Sequence, residues 1–202
     1  MSSVAAAVAA IEAGEPVVIP TDTVYGLACS PFAAEPMRAM YAVKGREPEK
    51  PTALVAADVD TLLELVPELD AHSAAVARAL LPGPYTLVLP NPARRFAWLT
   101  GTNPDALGVR VPAVVGVGAE VLRAVRAVAA TSANPAGGRD PRSVAELDPE
   151  LRRRVAAVVD GGELPGTAST VLDLTAAEPA VLREGAVSGP EALARVEAAL
   201  RS

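Results

Sequence analysis

Short apolar runs alternate along this chain with amphipathic segments whose apolar residues recur at helical spacing. Val4, Val8 and Ile11 show that spacing and predict a first helix that ends at Gly14. By the same criteria, further helices are predicted at 35–43, 60–65, 71–81, 118–125, 144–154 and 191–200. Strands are predicted at 16–19, 53–56, 85–89, 127–130, 155–159, 169–174 and 180–182. This alternation predicts a single α/β domain over residues 1–202.

Polar and positively charged residues follow the ends of the predicted strands or lie in the loops after them. These residues are Thr21, Thr23, Lys44, Arg46, Lys50, Arg110, Thr131, Ser132, Asn134, Ser169, Thr170 and Arg183. Ligands of open α/β sheets bind in crevices beyond the strand ends, so we expect these side chains to converge on one site. Five cations and several hydroxyl groups would suit a polyanion such as a nucleoside triphosphate.

The predicted loop 44–51 contains both lysines of the chain. Lys44 and Lys50 are six positions apart, with Arg46 between them, and all other basic residues except His72 are arginine. A lysine ammonium group is a compact charge that can neutralise a phosphate as negative charge develops on it. We therefore predict an anion site in an exposed loop, where replacing Lys44 by alanine should lower activity far more than stability.

These polar residues also have structural explanations. The segment 21–23 could form an ordinary turn in which side chains bond to the backbone. Ser132 and Asn134 could satisfy a turn or a helix cap in the same way. Arg110 alternates with its apolar neighbours, as a solvated residue on the outer face of a strand would. No single position therefore defines a site, and the argument depends on their convergence.

The composition narrows the function classes. A net charge of −6 argues against a protein that coats nucleic acid, although it allows a local basic groove. Cys29 is the only cysteine and His72 the only histidine, so neither an internal disulfide nor a Cys/His metal site can be built. No basic stretch precedes the first helix and no apolar run approaches the length of a membrane span. These features predict a cytoplasmic protein without a membrane association.

Common single-motif nucleotide sites are absent from the sequence. There is no Gly-x-x-x-x-Gly-Lys-Ser/Thr loop, and no Gly-x-Gly-x-x-Gly follows the first strand. A Gly-x-Ser-x-Gly elbow is also missing, which argues against a serine hydrolase. A nucleotide would therefore have to be held by several separate loops.

Seven short motifs, taken together and in order, resemble those of the YrdC-like threonylcarbamoyl-AMP synthases. They lie at 20–27 (PTDTVYGL), 44–51 (KGR with KP), 82–87 (PGPYTL), 108–112 (GVRVP), 131–134 (TSAN), 169–173 (STVLD) and 182–185 (LREG). The resemblance covers residues from about 15 to 188. It implies a twisted, mixed parallel and antiparallel sheet with flanking helices and a basic concave cavity, in the single-domain form of the family.

The resemblance also implies an activity. L-threonine, bicarbonate and ATP would give threonylcarbamoyl-AMP and pyrophosphate, with Mg²⁺ accompanying ATP. The product would pass to a separate transferase complex that makes threonylcarbamoyladenosine in tRNA. By motif, Thr21, Arg110 and Ser169 would bind L-threonine, with Arg110 on its carboxylate.

The other motif positions would bind ATP. Lys44 and Arg46 would hold the triphosphate and carry catalysis, with Lys50 close by. Ser132 and Asn134 would contact the nucleotide. By the same resemblance, Arg183 would contact the ribose or the adenylate phosphate. No residue is expected to act as a covalent nucleophile, because joining two anions and expelling a third requires alignment and charge screening.

The chain departs from the family pattern at three points near this loop. Glu47 replaces a proline, Thr52 replaces an apolar residue, and a histidine that many members place downstream is absent from 54–56. Two alternatives to the synthase therefore stay open. One is an RNA-binding or ribosome-associated module with a weak RNA contact, and the other is a paralogue that acts on a different carbamate.

Overall fold

The computed structural model describes residues 1–47 and 49–201, so Pro48 and Ser202 lie outside the described residues. The helices are α1 (Val4–Glu12), α2 (Ala34–Lys44), α3 (Val59–Leu65), α4 (Ala71–Leu80), α5 (Val117–Val125), α6 (Pro149–Arg154) and α7 (Gly189–Arg201). The strands are β1 (Val17–Pro20), β2 (Tyr25–Cys29), β3 (Ala53–Ala56), β4 (Tyr85–Pro90), β5 (Ala106–Arg110), β6 (Ala127–Ser132), β7 (Ala157–Val158), β8 (Thr170–Asp173) and β9 (Ala180–Arg183). That 1–202 form one domain stays a prediction.

Within residues 1–47 and 49–201, nine strands form one open sheet in the order β7-β1-β2-β6-β3-β5-β4-β8-β9. The pairs β1–β7, β3–β5 and β4–β8 are parallel, and the other five are antiparallel. The predicted α/β class, with a mixed sheet and flanking helices, is confirmed. Strands β2 and β5 are missing from the predicted strands. The five residues of β2 are buried on both faces and include Gly26, so they show no alternation. β5 does alternate in burial, but it lies in a segment that was interpreted as a loop.

Helices cover the two faces of the sheet unequally. On one face, α2, α3, α4 and α7 pack against the strands over an apolar cluster that includes Leu27, Leu54 and Leu87. On the other face, α1 and α5 cover the end of the sheet near β1, where Ile11, Ile19 and other apolar residues form a smaller cluster. The rest of that second face is left for a cavity.

The predicted helix at 144–154 is wrong as a single element. Val144–Glu146 is a short 3-10 helix, and α6 starts only at Pro149. The Asp148 carboxylate accepts hydrogen bonds from the backbone N–H groups of Glu150 and Leu151 at 2.9 and 3.0 Å. An aspartate at the N-cap followed by proline at the first helical position is a helix start signal, and it separates the two pieces.

Candidate functional site

A cavity of about 460 Å³ lies on the half-open face of the sheet. Alternate residues of several strands point into it, as the two-residue period of a strand requires: Gly108 and Arg110 from β5, Val171 and Asp173 from β8. Its floor is formed by small residues of four neighbouring strands, Gly26, Ala130, Ala53 and Gly108. The absence of bulky side chains there leaves a wide, shallow base with polar groups at the sides.

Three arginines and two aspartates supply the charged groups of the cavity wall. Arg46, Arg110 and Arg183 line it together with Asp140 and Asp173. Arginine presents a planar fork that matches phosphate and carboxylate oxygens. Among these lining residues the arginines outnumber the aspartates by one, before the partner of Arg110 is counted.

Arg110 is held by an acidic residue of the loop between β1 and β2. Its Nη2 atom donates to Oδ1 of Asp22 and to Oγ1 of Thr23, the latter at 2.6 Å. Asp22 uses its second oxygen to accept from the backbone N–H of Ala113 at 3.0 Å. Burial lowers the pKa of Arg110, and the neighbouring Asp22 carboxylate opposes that shift. The result is a buried ion pair at the edge of the cavity.

The loop carrying Thr21 is ordered by its own hydroxyl groups. Thr21 Oγ1 donates to the carbonyl of Val24 at 2.7 Å and accepts from the backbone N–H groups of Thr23 and Val24. The structural explanation of this segment as a turn is therefore correct. Thr21 nevertheless lines the cavity, so the turn and a binding role are compatible.

Ser169 and Arg183 meet in the cavity wall. The Ser169 hydroxyl lies 2.8 Å from Oγ1 of Thr86. Arg183 donates through Nη2 to the Ser169 carbonyl at 2.8 Å and to its hydroxyl at 3.2 Å. Because Ser169, Thr86 and Arg183 all line the cavity, the structure brings two of the predicted site residues into direct contact.

Lys44 is buried, and the expectation of an exposed loop lysine is wrong. It is the last residue of α2, which Gly45 ends in the left-handed conformation at φ 66°. Its ammonium group donates to the Ser132 carbonyl at 2.5 Å, and to the Asn134 carbonyl and side-chain oxygen at 2.9 and 2.8 Å. Ser132 Oγ donates to the same side-chain oxygen at 2.6 Å. Three predicted ATP residues thus form one network, which links α2 to the loop after β6.

Arg46 and Lys50 separate in the structure, although both belong to the predicted anion loop. Arg46 lines the cavity and donates through Nη2 to the Pro51 carbonyl at 2.8 Å. Lys50 is not among the cavity-lining residues of the described chain, and its exposed ammonium pairs with Glu47 at 3.2 Å. Thr52, in contrast, is buried in the wall, with its hydroxyl 3.0 Å from that of Tyr41. The structure therefore brings Arg46 and Thr52, but not Lys50, to the cavity.

Asp22 is a charged residue next to the cavity that the sequence argument did not assign to the site. Its partners Arg110 and Ala113 are 88 and 91 positions away, so local spacing gives no sign of the pair. Its position between two predicted site threonines, directly after a buried strand, was the available signal. Of the two cavity aspartates, neither belonged to the predicted site.

The burial of Lys44 has a measurable pH dependence. Burial, reinforced by the nearby charge of Arg46 and opposed by Asp140, lowers the pKa of Lys44 from 10.5 to about 8. Between pH 8 and pH 10.5, Lys44 is protonated in the unfolded chain and has released its proton in the folded chain. The contribution of Lys44 to the free energy of unfolding therefore rises with pH. We expect the free energy of unfolding of the wild type, minus that of Lys44→Met, to increase from about pH 8 to pH 10.5.

Denaturant titrations of both proteins across that interval provide the measurement. The difference is needed because burial also raises the pKa of Cys29 to about 12, which lowers the stability of both proteins over part of the same range. A difference that stays constant with pH would show that Lys44 keeps an ordinary pKa in the folded state.

The described residues contain no group of three or more His, Cys, Asp or Glu side chains arranged to hold a metal ion. Asp140 and Asp173 are the carboxylates that the cavity offers. With so few carboxylates, a site for a cation would need ligands from a substrate as well as from the protein.

Across the same part of the chain, no helix has the length and apolar character needed to cross a membrane.

The open mixed sheet and its arginine-lined cavity define the class of protein. The sequence profile of the Sua5/YciO/YrdC family, described as "Telomere recombination", matches residues 9–185. This chain belongs to that family, as its motifs predicted.

Curated relatives carry a more specific name. A putative threonylcarbamoyl-AMP synthase of Mycobacterium tuberculosis is 35% identical over 186 residues, which cover 92% of this chain and 85% of the relative. The threonylcarbamoyl-AMP synthase of Pyrococcus abyssi is 33% identical over 176 residues, covering 87% of this chain but 52% of the relative. This chain thus spans about half the length of the Pyrococcus protein.

Solved structures agree with the fold. Sua5 of P. abyssi complexed with L-threonine superposes with a TM-score of 0.86 at 31% identity, covering 95% of this chain and 56% of that one. YciO of E. coli gives a TM-score of 0.76 at 26% identity, covering 92% of this chain and 90% of that one. The YrdC-like architecture predicted from the motifs is confirmed.

Proposed function

We propose that this protein is an L-threonylcarbamoyl-AMP synthase, a nucleotidyltransferase that converts L-threonine, bicarbonate and ATP to threonylcarbamoyl-AMP and pyrophosphate. The observation that carries the proposal is the cavity in which Arg46, Arg110 and Arg183 converge on a floor of small residues. The names of the curated relatives and the threonine complex of the Pyrococcus structure point to the same activity.

The chemistry requires alignment of anions more than a reactive side chain. The amine of L-threonine adds to bicarbonate with loss of water and gives a carbamate. A carbamate oxygen then attacks the α-phosphorus of ATP, a new P–O bond forms, and the bond to pyrophosphate breaks. Arg110 would hold the threonine carboxylate and Arg46 the triphosphate, so that both anions are partly neutralised as they approach.

The remaining predicted residues fit supporting roles. Thr21 and Ser169 present hydroxyl-bearing walls near Arg110 and Arg183, where an amino acid would lie. Lys44, Ser132 and Asn134 form the network that fixes the loop after β6, and through it the nucleotide side of the cavity. Lys50 would contact a phosphate only through a movement of its exposed side chain.

Mg²⁺ is proposed to accompany ATP. This ion prefers oxygen ligands and usually takes one or two carboxylates besides substrate phosphates and water. Asp140 and Asp173 are carboxylates of the cavity wall, so their chemistry fits that pattern. An ion bound there would neutralise negative charge on the triphosphate, and the arginines would orient the triphosphate.

We also propose the further partners that this activity implies. The product would be transferred to adenosine in tRNA by a separate transferase complex, and the reaction would take place in the cytoplasm. The alternative of an RNA-binding module predicts affinity for RNA that falls steeply with salt. The alternative paralogue predicts turnover with an amine other than L-threonine.

The test is pyrophosphate release from ATP, bicarbonate and Mg²⁺, with and without L-threonine. We expect release that requires both L-threonine and bicarbonate, and a product with the mass of threonylcarbamoyl-AMP. The same assay with other amino acids and simple amines separates the synthase from the paralogue. Folded protein that binds ATP but releases no threonine-dependent pyrophosphate would overturn the proposal.

A further inference from the structure

One nitrogen of the Arg110 guanidinium is bound to the protein, and another is left to face the cavity. Nη2 has two hydrogens, and both are used, by Asp22 and by Thr23. Nε and Nη1 have no hydrogen-bond partner among residues 1–47 and 49–201, and Nε is buried out of reach of solvent. Nη1 is therefore the donor that Arg110 presents to a ligand.

The Asp22 carboxylate holds Arg110 in this orientation because Asp22 is itself anchored by a second contact. One oxygen holds the Arg110 side chain, while the other holds the backbone of Ala113, three residues beyond Arg110 in the chain. The side chains of Arg110 and Asp22 are only 11% and 9% exposed, so the contact between them is largely shielded from water. A charged group clamped at both oxygens inside a protein has little freedom to rotate.

We propose that Asp22 is a positioning residue for amino-acid binding: it orients Arg110 so that Nη1 faces the substrate carboxylate. This inference depends on the proposed function, because it assumes that L-threonine lies against Arg110. Asp22 itself would not contact the substrate, since it is not among the cavity-lining residues of the described chain and its oxygens hold Arg110 and Ala113.

Simple electrostatics makes the opposite prediction, which gives the inference a sharp test. A carboxylate next to Arg110 repels the carboxylate of a substrate, so removing its charge should tighten L-threonine binding. Positioning predicts weaker binding instead. In Asp22→Asn, one oxygen and one NH₂ group would face two donors, Arg110 Nη2 and Ala113 N–H, so one of the two contacts must be lost.

The experiment measures the affinity of the purified chain for L-threonine by calorimetry, so that turnover is not needed. We expect Asp22→Asn to weaken L-threonine binding at least tenfold and to change ATP binding less than twofold. L-threoninamide, which lacks the carboxylate, should bind both proteins within about twofold of each other, since it gains nothing from an oriented Arg110.

The matched control is Asp60→Asn. Asp60 also pairs with an arginine, accepting from Arg78 at 2.9 Å, but it is not among the cavity-lining residues of the described chain, so this variant removes the same charge from an aspartate–arginine pair without releasing Arg110. We expect its L-threonine affinity to stay within threefold of the wild type. Thermal unfolding of each variant corrects the affinities for the folded fraction.

If Asp22→Asn does not fold, Asp22→Glu serves instead, because it keeps both oxygens and the charge but shifts them by one methylene. Weakened L-threonine binding by either folded variant supports the inference. Unchanged or tighter binding overturns it and leaves the proposed function standing. A wild-type protein that binds ATP but not L-threonine overturns both.

Discussion

Replacing Lys44 by alanine is expected to reduce threonylcarbamoyl-AMP formation on the order of 100-fold and to destabilise the protein as well. The ammonium group satisfies three oxygens, the carbonyls of Ser132 and Asn134 and the Asn134 side chain. Ser132 Oγ still donates to the Asn134 side chain in the variant, but the two carbonyls lose the ammonium donor, and leaving a buried acceptor unpaired costs about 1–3 kcal/mol. The loop after β6 would then lose its link to α2, and the side of the cavity proposed to bind the nucleotide would lose its shape. Initial rates and denaturant unfolding give the two quantities.

Arg38→Ala is the control for this variant. Arg38 lies on the same helix and its exposed side chain pairs with Glu35 at the surface, so neither rate nor stability should change by much. Lys44→Arg adds a second comparison, because it retains the charge but cannot fit a planar fork among three converging oxygens. Full stability of Lys44→Ala would contradict the buried network.

Removing the guanidinium of Arg110 should abolish measurable L-threonine binding. It should also destabilise the protein more than Lys44→Ala does. In Arg110→Met, the Asp22 carboxylate remains buried without its ionic partner. Breaking a buried pair from one side typically costs about 3–5 kcal/mol. The measurements are unfolding free energy and pyrophosphate release at increasing L-threonine concentration.

The double variant Arg110→Met/Asp22→Asn separates folding from binding. Because it removes the unpaired charge, we expect it to recover about 2 kcal/mol of the stability lost in Arg110→Met. Activity should not return, because the donor to the substrate is still missing. Recovered activity in the double variant would show that Arg110 serves the fold alone.

Much of the fold could be predicted because its signals are local. The apolar periodicity at Val4, Val8 and Ile11 placed α1, and the same criteria placed α4, near their observed positions. Strand β2 was missed because it is buried on both faces and, unlike β1, has no run of β-branched residues to mark it as a strand. The break before α6 was within reach, since Asp148 and Pro149 carry a helix start signal that the longer periodic pattern obscured.

Several residues that line the cavity could be grouped from the sequence, but their arrangement could not. Convergence beyond the strand ends correctly grouped Thr21, Arg46, Arg110 and Ser169 around one cavity. The contacts of Lys44 reach 88 and 90 positions along the chain, so its burial could not be inferred from its neighbours in sequence. The predicted roles of these residues in binding ATP and L-threonine stay predictions until the variants are measured.

The glycines of the cavity floor are not required by the backbone or by packing. Neither Gly26 nor Gly108 has a positive φ. A methyl group on Gly108 would approach the Cα of Ala53 to 3.8 Å, and one on Gly26 would stay 3.6 Å from its nearest neighbours, which are ordinary contacts. The fold would therefore tolerate alanine at both positions, while the cavity would lose room at its base. Selection on these two codons should follow the size of the substrate, and relatives of this scaffold could acquire smaller substrates through changes that leave every charged group in place.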